Sequence, residues 1–309
     1  MSESSSSRRV LTPRQVLTTN ELLSLGLERP THAPEIVSEL HARILDGTSV
    51  ALSKWTEKNL YFTKSQYIQS LRCEGEMVSI AREPRSSMSP AAVVGTIAHR
   101  GVQLSYTHPN RPVSSYVDQA LIGARSQDQT LDAWWAQQPV SSQSDMLMQI
   151  ASKVTNFLDD FPPLDPSWGP RFEEPMSAKI GKLTIAGRAD LVIGRPRGDM
   201  KQTMLLIDLK TGSLKEEHTQ EAYYYALVAT LRYGVPPWRS LVYSLASGEY
   251  TEPDITEEVL LEACSSLIAG VNAYVETMTE SRMPKLSPGD HCRWCPGSAT
   301  CDVSTYKAQ

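Results

Sequence analysis

Two groups of residues in this chain have the types and spacing to do chemistry. The first is a cysteine set. Cys292, Cys295 and Cys301 stand as C-x2-C-x5-C in the stretch His291-Cys-Arg-Trp-Cys-Pro-Gly-Ser-Ala-Thr-Cys301, and Cys73 lies over two hundred residues upstream. Two thiolates two residues apart can turn onto one metal centre, and Pro296-Gly297 supplies a turn that brings Cys301 back. A zinc ribbon normally shows a second close pair. A remote fourth cysteine is the pattern of an iron–sulfur cluster that joins two ends of a domain. Zinc is the competing occupant, and plain buried cysteines are the alternative without metal. Cys264 keeps helical spacing with Leu260, Leu261, Leu267 and Ile268 and reads as core.

The second group surrounds Thr203-Met-Leu-Leu-Ile-Asp-Leu-Lys210. Asp208 and Lys210 are two apart on one strand, so their side chains leave the same face, directly after an apolar run. Charges at the edge of a core are costly unless paired or metal-bound. Asp190 closes Gly187-Arg-Ala-Asp190 on the preceding strand, where it can neighbour Asp208. Two carboxylates on adjacent strands beside a lysine suit a hard divalent cation and a phosphate. Taken alone, D-x-K is also what a solvated charge pair on a strand end looks like. Gln220 and Tyr224 share one face of the next helix, within which Tyr223-Tyr224-Tyr225 must supply some core packing. His99 follows Gly95 by four residues and takes meaning only from its context.

Several elements must position these groups. Ser-rich residues up to about 10 are expected to be disordered, and Thr12 to Asp46 reads as a helical extension through Ile36, Leu40 and Ile44. Asn59 to Gln103 predicts two helices split by a loop at Pro84 to Pro90, the first capped by Ser65. Residues of about 107–170 form a polar helical insertion, with helices near Asp118 to Gln137 and Ser144 to Leu158; its Trp134-Trp135 pair reads as packing. Phe172 to Ile180 and Leu183 to Ile193 alternate about Gly181-Lys182 as a hairpin. The strand ending at Lys210 is apolar enough to be buried on both faces. A helix from Leu214 to Tyr233, a strand from Ser240 to Ala246 and a helix from Thr256 to Thr279 complete the order. The domain plan is an extension over 1–58, a domain over 59–301 and a metal tail over 291–301.

With 309 residues, 40% of them apolar and 21% charged, the chain can bury a sizeable core. No uninterrupted apolar run approaches the roughly 18 to 20 residues of a membrane helix, and Met1 to Arg9 lacks the apolar region of a secretion signal. A cytoplasmic protein without a membrane role is expected. The net charge of −5 argues against a protein that coats nucleic acid by bulk charge. It is unevenly spread: residues 1–100 and 181–220 are each +2, whereas 101–180 and 221–309 are −4 and −5. Arg188, Arg195, Arg197 and Lys201 are close in sequence to the acidic site and could follow a phosphate backbone.

In order along the chain, these motifs resemble the RecB-like branch of the PD-(D/E)XK nucleases. The match is to its iron–sulfur subgroup, which includes CRISPR-associated adaptation nucleases, the AddB nuclease domain and exonuclease V. The motifs are Ser65, Leu71 and Cys73; Gly95 and His99; Gly187 and Asp190; Asp208-Leu-Lys-Thr-Gly212; Gln220 and Tyr224; and the cysteine tail. The resemblance spans about Tyr61 to Cys301. It implies an α/β fold with a restriction-endonuclease-like core, a mixed central sheet flanked by helices, carrying the helical insertion and the C-terminal cysteine tail. It implies a metal-dependent DNA exonuclease acting mainly on single strands or free ends. His99, Asp190, Asp208 and the Leu209 carbonyl would hold Mg²⁺ or Mn²⁺, and Lys210 would orient water or stabilise charge on the phosphate. Gln220 and Tyr224 would position the substrate or the lysine, and Glu173 or Glu174 would lie nearby. Cys73, Cys292, Cys295 and Cys301 would hold a structural 4Fe-4S cluster. Helicase or CRISPR adaptation proteins are the implied partners, the chain then being an end-trimming subunit. A non-catalytic nucleic-acid-binding module is the reading from a different class. Glu74 stands where many members have proline, and no G-x4-G-K-[ST] motor motif occurs.

Overall fold

Hydrophobic alternation and helix caps divide the chain into ten α-helices and five strands among the described residues, which are 10–24, 27–83, 88–197, 201–251 and 254–306 of a computed structural model. α1 (Pro13–Thr18) runs into a π-helical turn, Thr19–Leu23, and is followed by α2 (Ile36–Ser53), β1 (Leu60–Thr63), α3 (Lys64–Arg72), α4 (Glu74–Arg82) and α5 (Pro90–Thr107). A helical lobe, α6 (Val113–Gln127), α7 (Gln129–Ala136) and α8 (Val140–Asp160), precedes the hairpin β2 (Arg171–Ile180) and β3 (Leu183–Ile193). Next come β4 (Leu205–Lys210), α9 (Glu217–Tyr233), β5 (Arg239–Ser244) and α10 (Glu257–Met278), and short 3-10 turns carry the tail.

Local chemistry moves some expected boundaries. Thr63, not Ser65, caps α3: its hydroxyl accepts from Gln66 N, and the Gln66 side chain returns to the Thr63 N–H. The helical stretch breaks at Cys73, whose extended backbone (φ −161°) ends α3 and starts α4. Three helices therefore stand where two were expected, and the Pro84 to Pro90 loop lies partly outside the described residues, as does the Ser-rich start. Asp128 accepts from Thr130 N and Leu131 N, which splits the expected 118–137 helix into α6 and α7. The hairpin forms as expected, with Gly181 in the left-handed region (φ 58°) and Ile180 opposite Leu183.

The sheet is mixed and hinges on β3. β2 pairs antiparallel with β3 from Arg171↔Val192 to Ile180↔Leu183 and so occupies one edge throughout. The other edge is shared end to end. β1 runs parallel to its first part, ending at Thr63↔Ala186, and β4 runs antiparallel to its last part, from Ile193↔Leu205 to Leu191↔Ile207. β1 and β4 thus point at each other across Gly187–Asp190, four residues without a strand partner on that edge. β4 goes on pairing with β5 as far as Lys210↔Ser244.

Two apolar cores cover the faces. One joins α2, α9 and α10 to Ile185, Val192 and Leu206, and the other joins α5, α6 and α8 to Leu191, Ile207 and Leu241. α2 thus builds the main core through Ile36, Leu40 and Ile44, although its residues belong to the expected extension. α10 is long and apolar enough to cross a membrane, but here Leu260, Leu267, Val271 and Val275 are fully buried in the first core. Tyr224 braces the gap. Its hydroxyl lies 2.9 Å from both the Phe62 and Ala186 carbonyl oxygens, where β1 and β3 part. Beside it Gly187 leaves room for the Tyr225 ring, since a Cβ there would sit 2.8 Å from Cε1. Tyr224→Phe should lower unfolding free energy in urea by about 1–2 kcal/mol; an unchanged midpoint and slope would remove this bracing role.

Candidate active site

The edge gap in β3 is where acidic side chains can enter a sheet otherwise closed by apolar residues. Side-chain alternation slips there. Ile185, Ala189 and Val192 all belong to the first core, whereas Leu191 and Ile193 belong to the second. On the opposite strand Glu173 takes the left-handed conformation (φ 52°), rare for a residue with a Cβ and costing about 1–3 kcal/mol. The two irregularities bring Glu173 and Asp190 together, and α5 adds His99: one ligand atom from each of the three falls within 4.8 Å of the others. Asp190 is itself held in place. Leu209 N donates to its Oδ2 at 2.6 Å, replacing the ladder bond lost where β3 and β4 separate, and His99 Nδ1 lies 3.3 Å from Oδ1. Burial opposes the charged imidazole, but the Asp190 carboxylate outweighs it and holds the His99 pKa above its usual value.

Asp208 sits across the gap at the end of β4, 4% exposed. Lys210 Nζ is 2.6 Å from its Oδ2 and Lys64 Nζ, at the first residue of α3, is 3.3 Å from Oδ1. Both ammonium groups also lie 2.8 Å from Glu221 Oε2 on α9. Burial works against the Asp208 carboxylate, yet Lys210, Lys64 and His99 keep its pKa below the ordinary range. Both lysine pKa values are raised despite burial, because Asp208 and Glu221 face them. The Lys210 contact to Oδ2 is an ion pair outside hydrogen-bond geometry, so that buried oxygen has no hydrogen-bond donor. An under-satisfied carboxylate oxygen beside an imidazole and two more carboxylates is the hard donor set that Mg²⁺ or Mn²⁺ takes. The residues present fit such an ion.

The structure thus brings His99, Asp190, Asp208 and Lys210 into one region and places the Leu209 backbone against Asp190 through its N–H. It selects Glu173 over Glu174, whose Oε1 accepts from Tyr233. The expected role of Tyr224 in positioning substrate or lysine needs correction. The side chain is fully buried and its hydroxyl is spent on two strand carbonyls, so it supports the sheet. Gln220 accepts from the Tyr67 hydroxyl at 3.3 Å, and its neighbour Glu221 is the residue that reaches Lys210. Lys64 and Glu221 had no signal in the sequence beyond their neighbours: one follows a strand, the other follows Gln220. Of the basic residues near the site in sequence, Arg188 stays close, with Nη1 3.5 Å from Glu173, whereas Lys201 reaches Glu28 at 3.9 Å.

The four cysteines of the expected cluster border a common space. Cys73, Cys292, Cys295 and Cys301 line one cavity of about 630 Å³ between α4 and the tail. Glu74, next to Cys73, fixes the tail through a bidentate pair with Arg282 (2.6 and 3.0 Å) and by accepting from Lys285 N at 2.8 Å. Gly75 admits Leu286, whose Cδ2 would lie 2.4 Å from any Cβ. Gly289 N donates to Cys292 Sγ at 3.5 Å, and this bond leads the lowering of that thiol's pKa. Burial instead raises Cys295. Thiols are the ligands a thiophilic centre takes, and Cys292 Sγ already receives an N–H. Cys264 stays in the first core, its pKa pushed up to about 11 by burial.

No curated protein matches the chain. Among solved structures, one described as a "putative exonuclease" from Eubacterium rectale is similar at 12% identity and a TM-score of 0.46, over 83% of this chain and 93% of that one. Residues 66–302 match the sequence model of the PD-(D/E)XK nuclease superfamily. That span holds both acidic strands, Lys210 at the end of the second and all four cavity cysteines, and the chain belongs to the PD-(D/E)XK nuclease superfamily.

Proposed function

We propose that this nuclease is a Mg²⁺- or Mn²⁺-dependent DNA exonuclease of the RecB-like iron–sulfur subgroup, acting mainly on single strands. One observation carries the reading: His99, Glu173 and Asp190 converge within 4.8 Å beside the Asp208–Lys210 pair, in the open edge of the sheet. His99, Asp190, Asp208 and the carbonyl of Leu209 are the ligand set, and Glu173 completes it. When bound, the divalent ion polarises the scissile phosphate and lowers the pKa of its water. Lys210 stays protonated and donates a hydrogen bond to the phosphate oxygens as charge develops on them. Asp190 holds the Leu209 backbone, and with it the register of Asp208 and Lys210. Arg188, exposed beside Glu173, follows the next phosphate of the strand.

The cysteine cavity takes a 4Fe-4S cluster as a structural clamp between α4 and the tail. Support comes from the remote Cys73, which a zinc ribbon does not use, and from the N–H aimed at Cys292.

Two outcomes follow. Asp208→Ala should fold and keep its cluster colour, yet cleave end-labelled single-stranded DNA in Mg²⁺ or Mn²⁺ at least about a hundredfold more slowly. Undiminished cleavage would reject the site. Anaerobically purified protein should show broad absorbance near about 400 nm that Cys73→Ser removes. A colourless preparation with stoichiometric zinc would assign the cavity to zinc instead.

A further inference from the structure

The mechanism above uses one lysine, but the site holds two. Lys64 arrives from a different element than Lys210. β1 ends at Thr63, the capping box turns the chain into α3, and Lys64 is the first helical residue. Because β1 and β4 point at each other across the edge gap, Lys64 meets the end of β4 almost head-on. Its ammonium lies 3.3 Å from Asp208 Oδ1 and 2.8 Å from Glu221 Oε2, and it sits 5.2 Å from the centre of the Tyr225 ring. Lys210 contacts the other oxygen of Asp208 and the same oxygen of Glu221. Two ammonium groups and two carboxylates therefore alternate in a closed ring, with Asp208 and Glu221 both buried. No counter-charge is left over.

We propose that Lys64 is a positioning residue of the hydrolytic site: it competes with the divalent cation for Asp208, and it shares Glu221 so that Lys210 stays free to face the substrate phosphate. This rests on reading the site as a metal-dependent nuclease centre. When a cation takes Asp208, Lys64 keeps Glu221 as its partner. The second negative charge of the ring is then neutralised without drawing on Lys210. Without Lys64, a single ammonium must serve both Asp208 and Glu221, and Lys210 is pulled back towards them. The same loss removes a positive charge that repels and displaces the incoming cation. Metal affinity and turnover should therefore move in opposite directions, whereas general damage to the fold would weaken both.

The test compares wild type, Lys64→Met, Lys64→Arg and the double variant that adds Glu221→Gln to Lys64→Met. Mn²⁺ binding is measured by titration calorimetry without DNA, and single-strand cleavage at saturating Mn²⁺. Lys64→Met should bind Mn²⁺ about three- to tenfold more tightly. Its kcat should fall about tenfold or more with KM for DNA little changed. Lys64→Arg, which keeps the charge, should recover most of both, and Glu221→Gln introduced into Lys64→Met should restore part of kcat, since the carboxylate that draws Lys210 back is gone. Thermal melts without metal tell a misfolded variant from a repositioned site, and the arginine variant keeps the comparison open if methionine unfolds. Unchanged or weaker Mn²⁺ binding by a folded Lys64→Met, or unchanged kcat, would overturn the assignment. If wild type neither binds Mn²⁺ nor cleaves, the nuclease-centre reading itself falls; if wild type does both and the variants match it, only the role of Lys64 falls.

Discussion

An interrupted sheet edge is the constraint on which the rest of this molecule depends. Backbone N–H and C=O groups inside a sheet must be paired, because an unpaired buried one costs about as much as a lost hydrogen bond. At Gly187–Asp190 of β3 the neighbouring strand is missing, since β1 has just ended and β4 has not yet joined. Side chains fill in. The Tyr224 hydroxyl reaches the Ala186 carbonyl, and the Asp190 carboxylate takes the Leu209 N–H. Substituting polar side chains for a strand is what allows carboxylates and an imidazole to stand inside an otherwise apolar layer. The left-handed Glu173 and the slipped alternation on β2 and β3 are the local strain of the same break.

Charge balance makes the break tolerable. A buried carboxylate without a partner would protonate rather than remain ionised. Lys64 and Lys210 prevent this for Asp208, the most deeply buried carboxylate of the site, and hold its pKa down against burial. α3 ties this ring to the cysteine cavity. Lys64 opens that nine-residue helix and Cys73 terminates it, so the two sites lie one short helix apart, about 14 Å by the helical rise. Arg72, at its last turn, binds both Glu76 of α4 and Glu217 of α9, which keeps the strut rigid between them.

Much of this was legible in the sequence because it rests on local rules. The hairpin at Gly181, the apolar β4 strand and the approach of Asp190 to β4 at Leu209 follow from alternation and strand adjacency. The cysteine cavity follows from spacing plus one remote partner. Long-range geometry was not legible. Nothing local says that β1 shares an edge with β4, and that arrangement alone brings Lys64 to Asp208. Glu173 and Glu174 are equivalent by type; only the backbone conformation separates them, one turned towards Asp190 and the other towards Tyr233. Tyr224 was misplaced for a related reason: helical periodicity sets it on the face of Gln220, but packing depth decides that its hydroxyl bonds strand carbonyls. Glu221 takes the contact with Lys210 because it is one residue further round the helix, facing the end of β4.

The central claim is that the gap in the β3 edge gathers a divalent-cation site from both sides of the sheet. Crystals of the protein soaked in Mn²⁺ and measured at the manganese absorption edge test it most directly. An anomalous peak should appear in the gap, with oxygen or nitrogen ligands from His99, Glu173, Asp190 and Asp208 at roughly 2.0–2.3 Å. Saturating Mn²⁺ with no peak there, or a peak that Asp190 and Asp208 do not touch, would contradict the account.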